Sequence, residues 1–337
     1  MRKIVILFVN GGLASTAILP LEIFKSTGTL WNALNGVPLE SRFDVVTASA
    51  DGAPVTVNRH LSLTPEMACA EIVDPDLVFV AAGGREFDAM VGSAYDPVAT
   101  VACNAALVPW LRRWHAGGAT IVTACSGALL AAAAGILDGK RATAHWGLAG
   151  LYRRHFPTVD WREEYLVTDC GDVVCGGGVN AAADVSLYLV EKFCGHEIAL
   201  KTARSLCIEM PRTWQNSFTH FELRATHEDE AILAAEHYLR NNFAQELKFD
   251  EVARHLGMSP RNFARRFKDA TTDTPLAYLH GLRIAVAKQL LETTQVGVAE
   301  IGQRVGYLDP AFFRQLFHRR TGIGPSEYRR RFGKLAA

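Results

Sequence analysis

Two sets of residues in this 337-residue chain carry side chains able to do chemistry or read a polymer. The first is Thr123-Ala-Cys125-Ser126-Gly-Ala, followed twenty residues later by Ala142-Thr-Ala-His145-Trp146. A β-rich run turns Ala/Leu-rich right after Cys125-Ser126-Gly, which puts the thiol at a strand-to-helix turn. A helix N-terminus favours negative charge and can lower a thiol's pKa, and a nearby imidazole would complete a nucleophile–base pair. The backbone N–H groups of Ser126 and Gly84 are candidates for an oxyanion hole. The bland alternative is a small buried cysteine beside a core histidine.

The second set is a unit that occurs twice, about fifty positions apart. Phe249–Lys268 and Val298–His318 share matched features: Phe263 with Phe313, Phe267 with Phe317, Thr274-Pro275 with Gly324-Pro325, and Tyr278 with Tyr328. One inserted residue near Tyr307-Leu308 is the only slip. In each copy a first helix ends at a glycine (Gly257, Gly306), where the chain must turn sharply. Ser259-Pro and Asp309-Pro are cap and first-turn pairs that start a second helix. Phenylalanines four apart face inward. That leaves Arg261, Asn262, Arg265 and Lys268 outside in copy one, and Ala311, Arg314, Gln315 and His318 in copy two. Arginine suits guanine, Asn and Gln suit adenine, and Lys or His meets phosphate. Two such helices on one module would enter adjacent major grooves of double-stranded promoter DNA.

The elements needed to hold these sets are legible along the chain. Strands are expected at 3–9, 43–48, 77–81, 120–124, 166–168 and 173–175, and helices at 20–34, 97–117, 126–135, 148–155 and 181–193. Such alternation predicts a doubly wound, mainly parallel α/β sheet over residues 1–210, flavodoxin-like in class. Ligands bind such sheets at the carboxyl ends of the strands, so the turns at Gly83-Gly84 and Cys125-Ser126 should edge one crevice. Residues 211–229 lack periodicity and read as a connector. Residues 230–333 read as an all-α domain with two helix-turn-helix motifs, in which 277–291 form a long helix joining the copies.

Composition bounds the partners. Lys+Arg and Asp+Glu are 35 each, so net charge is zero. From Phe249 onward, however, there are 15 basic and 8 acidic residues, a surplus of 7 on the tail and a matching deficit on the body. A basic tail on an acidic body suits a phosphate-backbone binder. Seven cysteines with no CxxC pair and no Cys/His zinc spacing imply no metal and no cofactor, and fit reduced thiols in a cytoplasm. Two apolar stretches imitate targeting segments. Arg2–Val9 is short for a signal peptide and reads as a buried first strand. Ala119–Leu137 imitates a membrane span but changes from β-rich to Ala/Leu-rich at Cys125, as strand, turn and helix would.

On the residues 256–268, 301–317 and 322–329, the tail resembles the AraC/XylS family of transcription regulators, over about 230–332. That family usually carries arginine two before the final phenylalanine of each recognition helix. Copy one keeps it as Arg265, while copy two has Gln315 with arginine displaced to Arg314. Residues 77–84, 123–128, 135–146 and 177–184 resemble the PfpI/ThiJ-like fold, related to class I glutamine amidotransferases. Together the halves are similar to regulators of the GlxA type. The resemblance implies an elbow cysteine at Cys125, a pocket histidine at His145, and effectors among amino acids, amines or related nitrogen compounds. It also implies a homodimer acting at promoters, with RNA polymerase as a further partner, in the nucleoid-bearing cytoplasm. Enzymes of the superfamily place a carboxylate after the first strand. Here Thr16 stands where the acid is expected, and Glu22 lies further along its helix.

The expectation is therefore a ligand-responsive DNA-binding regulator whose degenerate enzyme fold senses a small metabolite through Asn10, Thr16, Gly84, Cys125, Ser126, His145 and Trp146. Two alternatives stay open: a Cys-dependent hydrolase or hydratase fused to a DNA-binding domain, and a regulator with Cys125 as a redox sensor.

Overall fold

The computed structural model describes residues 1–58, 61–84, 95–210, 215 and 227–333. They form two compact units, Met1–Gln215 and Asn216–Ala337. Of the expected connector, only Gln215 and 227–229 lie among the described residues.

The first unit is built on eleven strands: β1 (Arg2–Leu7), β2 (Phe43–Ser49), β3 (Val55–Asn58), β4 (Leu61–Leu63), β5 (Met67–Ala68), β6 (Leu77–Val80), β7 (Thr120–Ala124), β8 (Arg141–Ala142), β9 (Asp160–Trp161), β10 (Val167–Asp169) and β11 (Val173–Gly176). Seven of them form one sheet in the order β10-β11-β7-β6-β1-β2-β5. All pairs are parallel except β10 with β11. Ile4–Leu7, Leu77–Val80 and Ile121–Ala124 are essentially excluded from solvent. Strands covered on both faces need such unbroken apolar runs. The stretch that imitates a signal peptide is thus β1, an interior strand paired on both sides by β6 and β2. The stretch that imitates a membrane span is β7, a tight turn and the helix Ala128–Ala133. Among the described residues no helix is long and apolar enough to cross a membrane.

Three helix expectations need correction. Pro20 does not start a helix; it lies inside Ser15–Ser26, and a separate short helix covers Leu30–Leu34. The expected helix 97–117 is broken into Pro97–Ala102 and Val108–Ala116. Pro109 sits in the first turn of the second helix and has no N–H to continue the first. At the break the Asn104 side chain turns to the Asn10 backbone, accepting from the N–H at 2.8 Å and donating to the carbonyl at 3.1 Å. The helix expected at 126–135 begins with a single 3-10 turn at Cys125–Gly127.

The second unit starts with the helix Glu230–Asn242. Two helix-turn-helix motifs follow, Phe249–His255 with Pro260–Thr271 and Val298–Arg304 with Pro310–Thr321. Pro275–Thr293 joins them and Pro325–Phe332 closes the second. Each motif has its own core with the same aromatic triad. Phe263–Phe267 and Phe267–Tyr278 ring centroids are 5.5 and 5.3 Å apart. Phe313–Phe317 and Phe317–Tyr328 are 5.8 and 5.5 Å apart. All four contacts are edge-on, the favoured geometry for aromatic pairs. The repeat read from the sequence is therefore a repeat of packing.

Phe317 is fully buried, whereas its neighbour Phe312 is 43% exposed. Phe317→Ala should lower the opening free energy of the second unit by about 3–5 kcal/mol, and Phe312→Ala by roughly 1 kcal/mol or less. Native-state hydrogen exchange of the amides in 298–332 measures both, and equal losses would contradict this packing.

Candidate effector cavity and DNA-facing surface

A cavity of about 300 Å³ opens where the chain leaves β1, β6, β7 and β11. This is the carboxyl edge of the sheet, beside the point between β1 and β6 where strand order reverses. Leu13, Gly84, Tyr95, Cys125, Ser126 and His145 are among its walls. The turns after β6 and β7 thus edge one crevice, and the Ser126 hydroxyl ties them by donating to the Gly83 carbonyl at 2.7 Å. The elbow presses close on β6: a Cβ on Gly127 would lie 2.5 Å from the Val80 carbonyl oxygen. Cys125 has φ +52°, a left-handed value that a non-glycine residue adopts only under constraint from its surroundings.

The elbow geometry is present, but a reactive thiolate is not. Cys125 is 7% exposed, and burial pushes its thiol up to about 11, against a smaller lowering by the Ser126 N–H. The expectation of a depressed thiol pKa is therefore overturned. Burial likewise holds the His145 imidazole below its ordinary value. His145 Nδ1 accepts from the Gly147 N–H at 3.1 Å, so in the neutral ring the proton sits on Nε2. Its ring stacks on Trp146 at 5.3 Å. A neutral thiol and a neutral imidazole are not a thiolate–imidazolium pair.

The expected oxyanion hole also fails. The Gly84 N–H donates to the Asn10 carbonyl at 3.1 Å and is not free for a substrate oxygen. Thr16 does not line the cavity. It is fully buried, donating to the Leu13 carbonyl at 2.7 Å and accepting from the Ala82 N–H at 3.0 Å. It pins the loop after β1 to the end of β6. Asn10 and Trp146 stand beside the walls, Asn10 through the Asn104 clamp and Trp146 under the His145 ring. Glu22 is exposed on its helix, and no charged side chain lines the cavity among the described residues.

On the second unit all eight expected DNA-facing residues are exposed: Arg261, Asn262, Arg265 and Lys268, then Ala311, Arg314, Gln315 and His318. The caps form as expected. Ser259 accepts from the Asn262 N–H at 3.3 Å and Asp309 from the Ala311 N–H at 2.7 Å. Gly257 and Gly306 have φ +68° and +86°. Arg265 is braced by Asn262 at 3.2 Å and Asp269 at 3.0 Å. Arg266 turns away and pairs with Asp229, the N-cap of the Glu230–Asn242 helix.

Sequence reasoning missed three residues here. Leu308, in the one-residue insertion before the second recognition helix, is 89% exposed, and Phe312 is partly exposed where copy one has Asn262. Arg283 is buried in the joining helix and donates to the carbonyls of Phe243 at 2.7 Å and Gln245 at 2.8 Å. Its guanidinium also lies 5.0 Å over the Tyr307 ring. An arginine flanked by Leu282 and Ile284 was the available signal.

Comparisons with known proteins agree with this geometry. Residues 2–192 match the DJ-1/PfpI family model. The chain belongs to the DJ-1/PfpI family. Residues 252–331 match a helix-turn-helix domain model, so a DJ-1/PfpI domain precedes an AraC-type DNA-binding domain. The chain is 27% identical to the HTH-type transcriptional regulator CdhR of Pseudomonas aeruginosa, over 83% of this chain and 80% of that one. It is 28% identical to the HTH-type transcriptional regulator GlxA of Rhizobium meliloti, over 90% and 89%. The Xylose operon regulatory protein of Escherichia coli is 34% identical over 101 residues, 30% of this chain and 26% of that one.

With its thiol held near 11, Cys125 is about one part in ten thousand thiolate at pH 7. Iodoacetamide, read by peptide mapping, should label Cys125 far more slowly than exposed Cys207. The Cys125 rate should climb about tenfold per pH unit toward pH 10. Rapid labelling of Cys125 at neutral pH would contradict a buried neutral thiol.

Proposed function

We propose that this DJ-1/PfpI protein is a sequence-specific transcription regulator that binds promoter DNA through its tandem helix-turn-helix unit. Its DJ-1/PfpI domain serves as the sensor of a small metabolite. One observation carries the reading: two recognition helices with exposed polar faces stand on two copies of the same aromatic core. CdhR and GlxA, which match along most of the chain, are named transcriptional regulators. In this reading Arg261, Asn262 and Arg265 contact bases and Lys268 contacts phosphate, while Arg314, Gln315 and His318 serve the second half-site.

The hydrolase reading and the redox-sensor reading both need an accessible, low-pKa thiol, and neither is favoured by a buried Cys125 raised to about 11. A cavity with largely apolar walls, a Tyr95 hydroxyl and an Nε2–H on His145 suits a compact effector with an acceptor group. Amino acids, amines and related nitrogen compounds are the class to screen first, by shift of melting temperature. Further parts of the proposal are a homodimer, contact with RNA polymerase, residues 211–229 as the connector, and a place on the nucleoid in the cytoplasm.

Selection of genomic fragments by the purified full chain, followed by gel retardation, tests the reading. Failure to retard any fragment at low salt removes it. On a selected site, Arg265→Ala should weaken binding by about 1–3 kcal/mol and relax preference at one base pair. Lys268→Ala should weaken all sequences alike and reduce the salt slope by about one. Equal, sequence-independent losses for the two variants would contradict the assigned roles.

A further inference from the structure

Gln215 lies in the stretch that reads as a connector from sequence, yet it is 1% exposed and seated in the sensor domain. Its Nε2 donates to the Thr143 hydroxyl, the Ala144 carbonyl and the Tyr165 carbonyl, each at 3.0 Å. Its backbone N–H donates to the Glu164 carbonyl at 3.1 Å. The seat exists because residue 177 is glycine: a Cβ there would lie 2.6–2.7 Å from the Gln215 side chain. One residue beyond one seat contact and two beyond another, the chain reaches the effector cavity. Ala144 is followed by His145, a cavity wall, and Gly177 leads through Gly178 to Val179, another wall. Gly178 in turn packs toward the His145 ring.

We propose that Gln215 is the positioning residue through which occupancy of the cavity is passed to the connector. The proposal rests on the cavity being the effector site. The His145–Leu148 turn and the Gly177–Val179 turn are shared by cavity and seat. An occupant that shifts the first turn moves the adjoining Ala144 carbonyl and Thr143 hydroxyl that hold the Gln215 amide, and one that shifts the second moves Gly177, against which the side chain packs. The seat admits two states, Gln215 in or out, and an occupant that fits one state better shifts the population by its difference in affinity. A buried amide that loses its acceptors is poorly tolerated, so small shifts of the walls suffice to bias the choice. Leaving the seat returns the amide to water and frees the Gln215 side chain and backbone.

The test needs no identified effector. In the full chain, trypsin cleavage after Arg212 and Arg224 reads the connector, and hydrogen exchange of 143–148 and 177–179 reads the cavity walls. Gln215→Ala, and Gly177→Ala from the opposite side of the seat, should each speed connector cleavage about tenfold or more. Both should also raise exchange of the cavity walls. Gln215→Asn, one methylene short, should fall between Gln215→Ala and the parent chain. If Gly177→Ala fails to fold, Gln215→Ala alone decides. Unchanged wall exchange with faster cleavage would show a simple tether and overturn the coupling, and unchanged cleavage would overturn the latch itself. Gel retardation of a selected promoter fragment by the same variants separates the two levels. If the parent chain retards no fragment, the regulatory reading fails while the latch readouts stand. If it does, Gln215→Ala should change promoter affinity at least threefold with no added compound, and an unchanged affinity overturns transmission to DNA.

Discussion

The tandem DNA-binding unit depends on one buried cation. Two helix-turn-helix motifs on a flexible joint would search for half-sites independently, whereas motifs fixed in register impose a spacing on the operator. Arg283 supplies the fixation. It holds the carbonyl end of the Glu230–Asn242 helix through Phe243 and Gln245, and lays its guanidinium over Tyr307 in the turn of the second motif. Gly306 completes the joint, since a Cβ there would lie 2.7 Å from the Ala244 carbonyl oxygen. A buried guanidinium is costly unless its donors are satisfied, and these carbonyls at a helix C-terminus carry the partial negative charge that suits it. The planar fork and the stacking on an aromatic ring are features lysine lacks.

In the sensor domain, competition between two electrostatic effects decides the chemistry. The turn at Cys125 aims the thiol at a helix N-terminus, an effect of typically 0.3–1 kcal/mol. Burial acts the other way, and a rise from 9.0 to about 11 corresponds to roughly 3 kcal/mol. The helix that follows the elbow is only Ala128–Ala133, preceded by a 3-10 turn, so its dipole is short. Desolvation wins. With Thr16 in place of a carboxylate and its hydroxyl spent on backbone, no group among the described cavity walls is charged to offset it. The strained elbow at Cys125 is retained while the charge that would make it a nucleophile is not. Such a site binds more readily than it reacts.

Legibility in the sequence followed the same physics. The central strands were readable because strands covered on both faces must be continuous apolar runs, and the repeat was readable because phenylalanines four apart with matched glycines and caps have few other meanings. Cys125 and His145 were readable as cavity residues because the topology fixes where strands β6 and β7 end. Protonation was not readable, since the depth of Cys125 comes from packing across the sheet. Nor was the fate of the Gly84 N–H, which bonds a carbonyl seventy-four residues away at Asn10. The break in 97–117 had a local signal in Pro109, in the first turn of the second helix, although the Asn104–Asn10 clamp at the break did not. Pro20 looked like a helix start because proline favours first turns, but the chain tolerates it in the interior of Ser15–Ser26. Gln215 escaped because nothing local marks a connector residue as docked.

The two recognition helices, alike in packing, differ in how they can read a groove. In copy one Asn262, Arg265 and Asp269 form a polar ladder along one face. These are exposed pairs, weak enough to yield to a base edge, yet sufficient to hold the guanidinium extended before contact. The equivalent positions in copy two are Phe312, Gln315 and Arg319, with Leu308 almost wholly in solvent just before the helix. Phe312 is not loose, for its ring sits 5.7 Å from Tyr307, the residue that Arg283 covers. The side chain that braces the joint therefore also backs an apolar reading surface. An exposed leucine and a supported phenylalanine at a helix N-terminus suit thymine methyl groups, while Arg314 beside them suits a phosphate or a guanine. The two copies thus share one packing scheme but expose different chemistry, a polar ladder on copy one and an apolar start followed by Arg314, Gln315 and His318 on copy two.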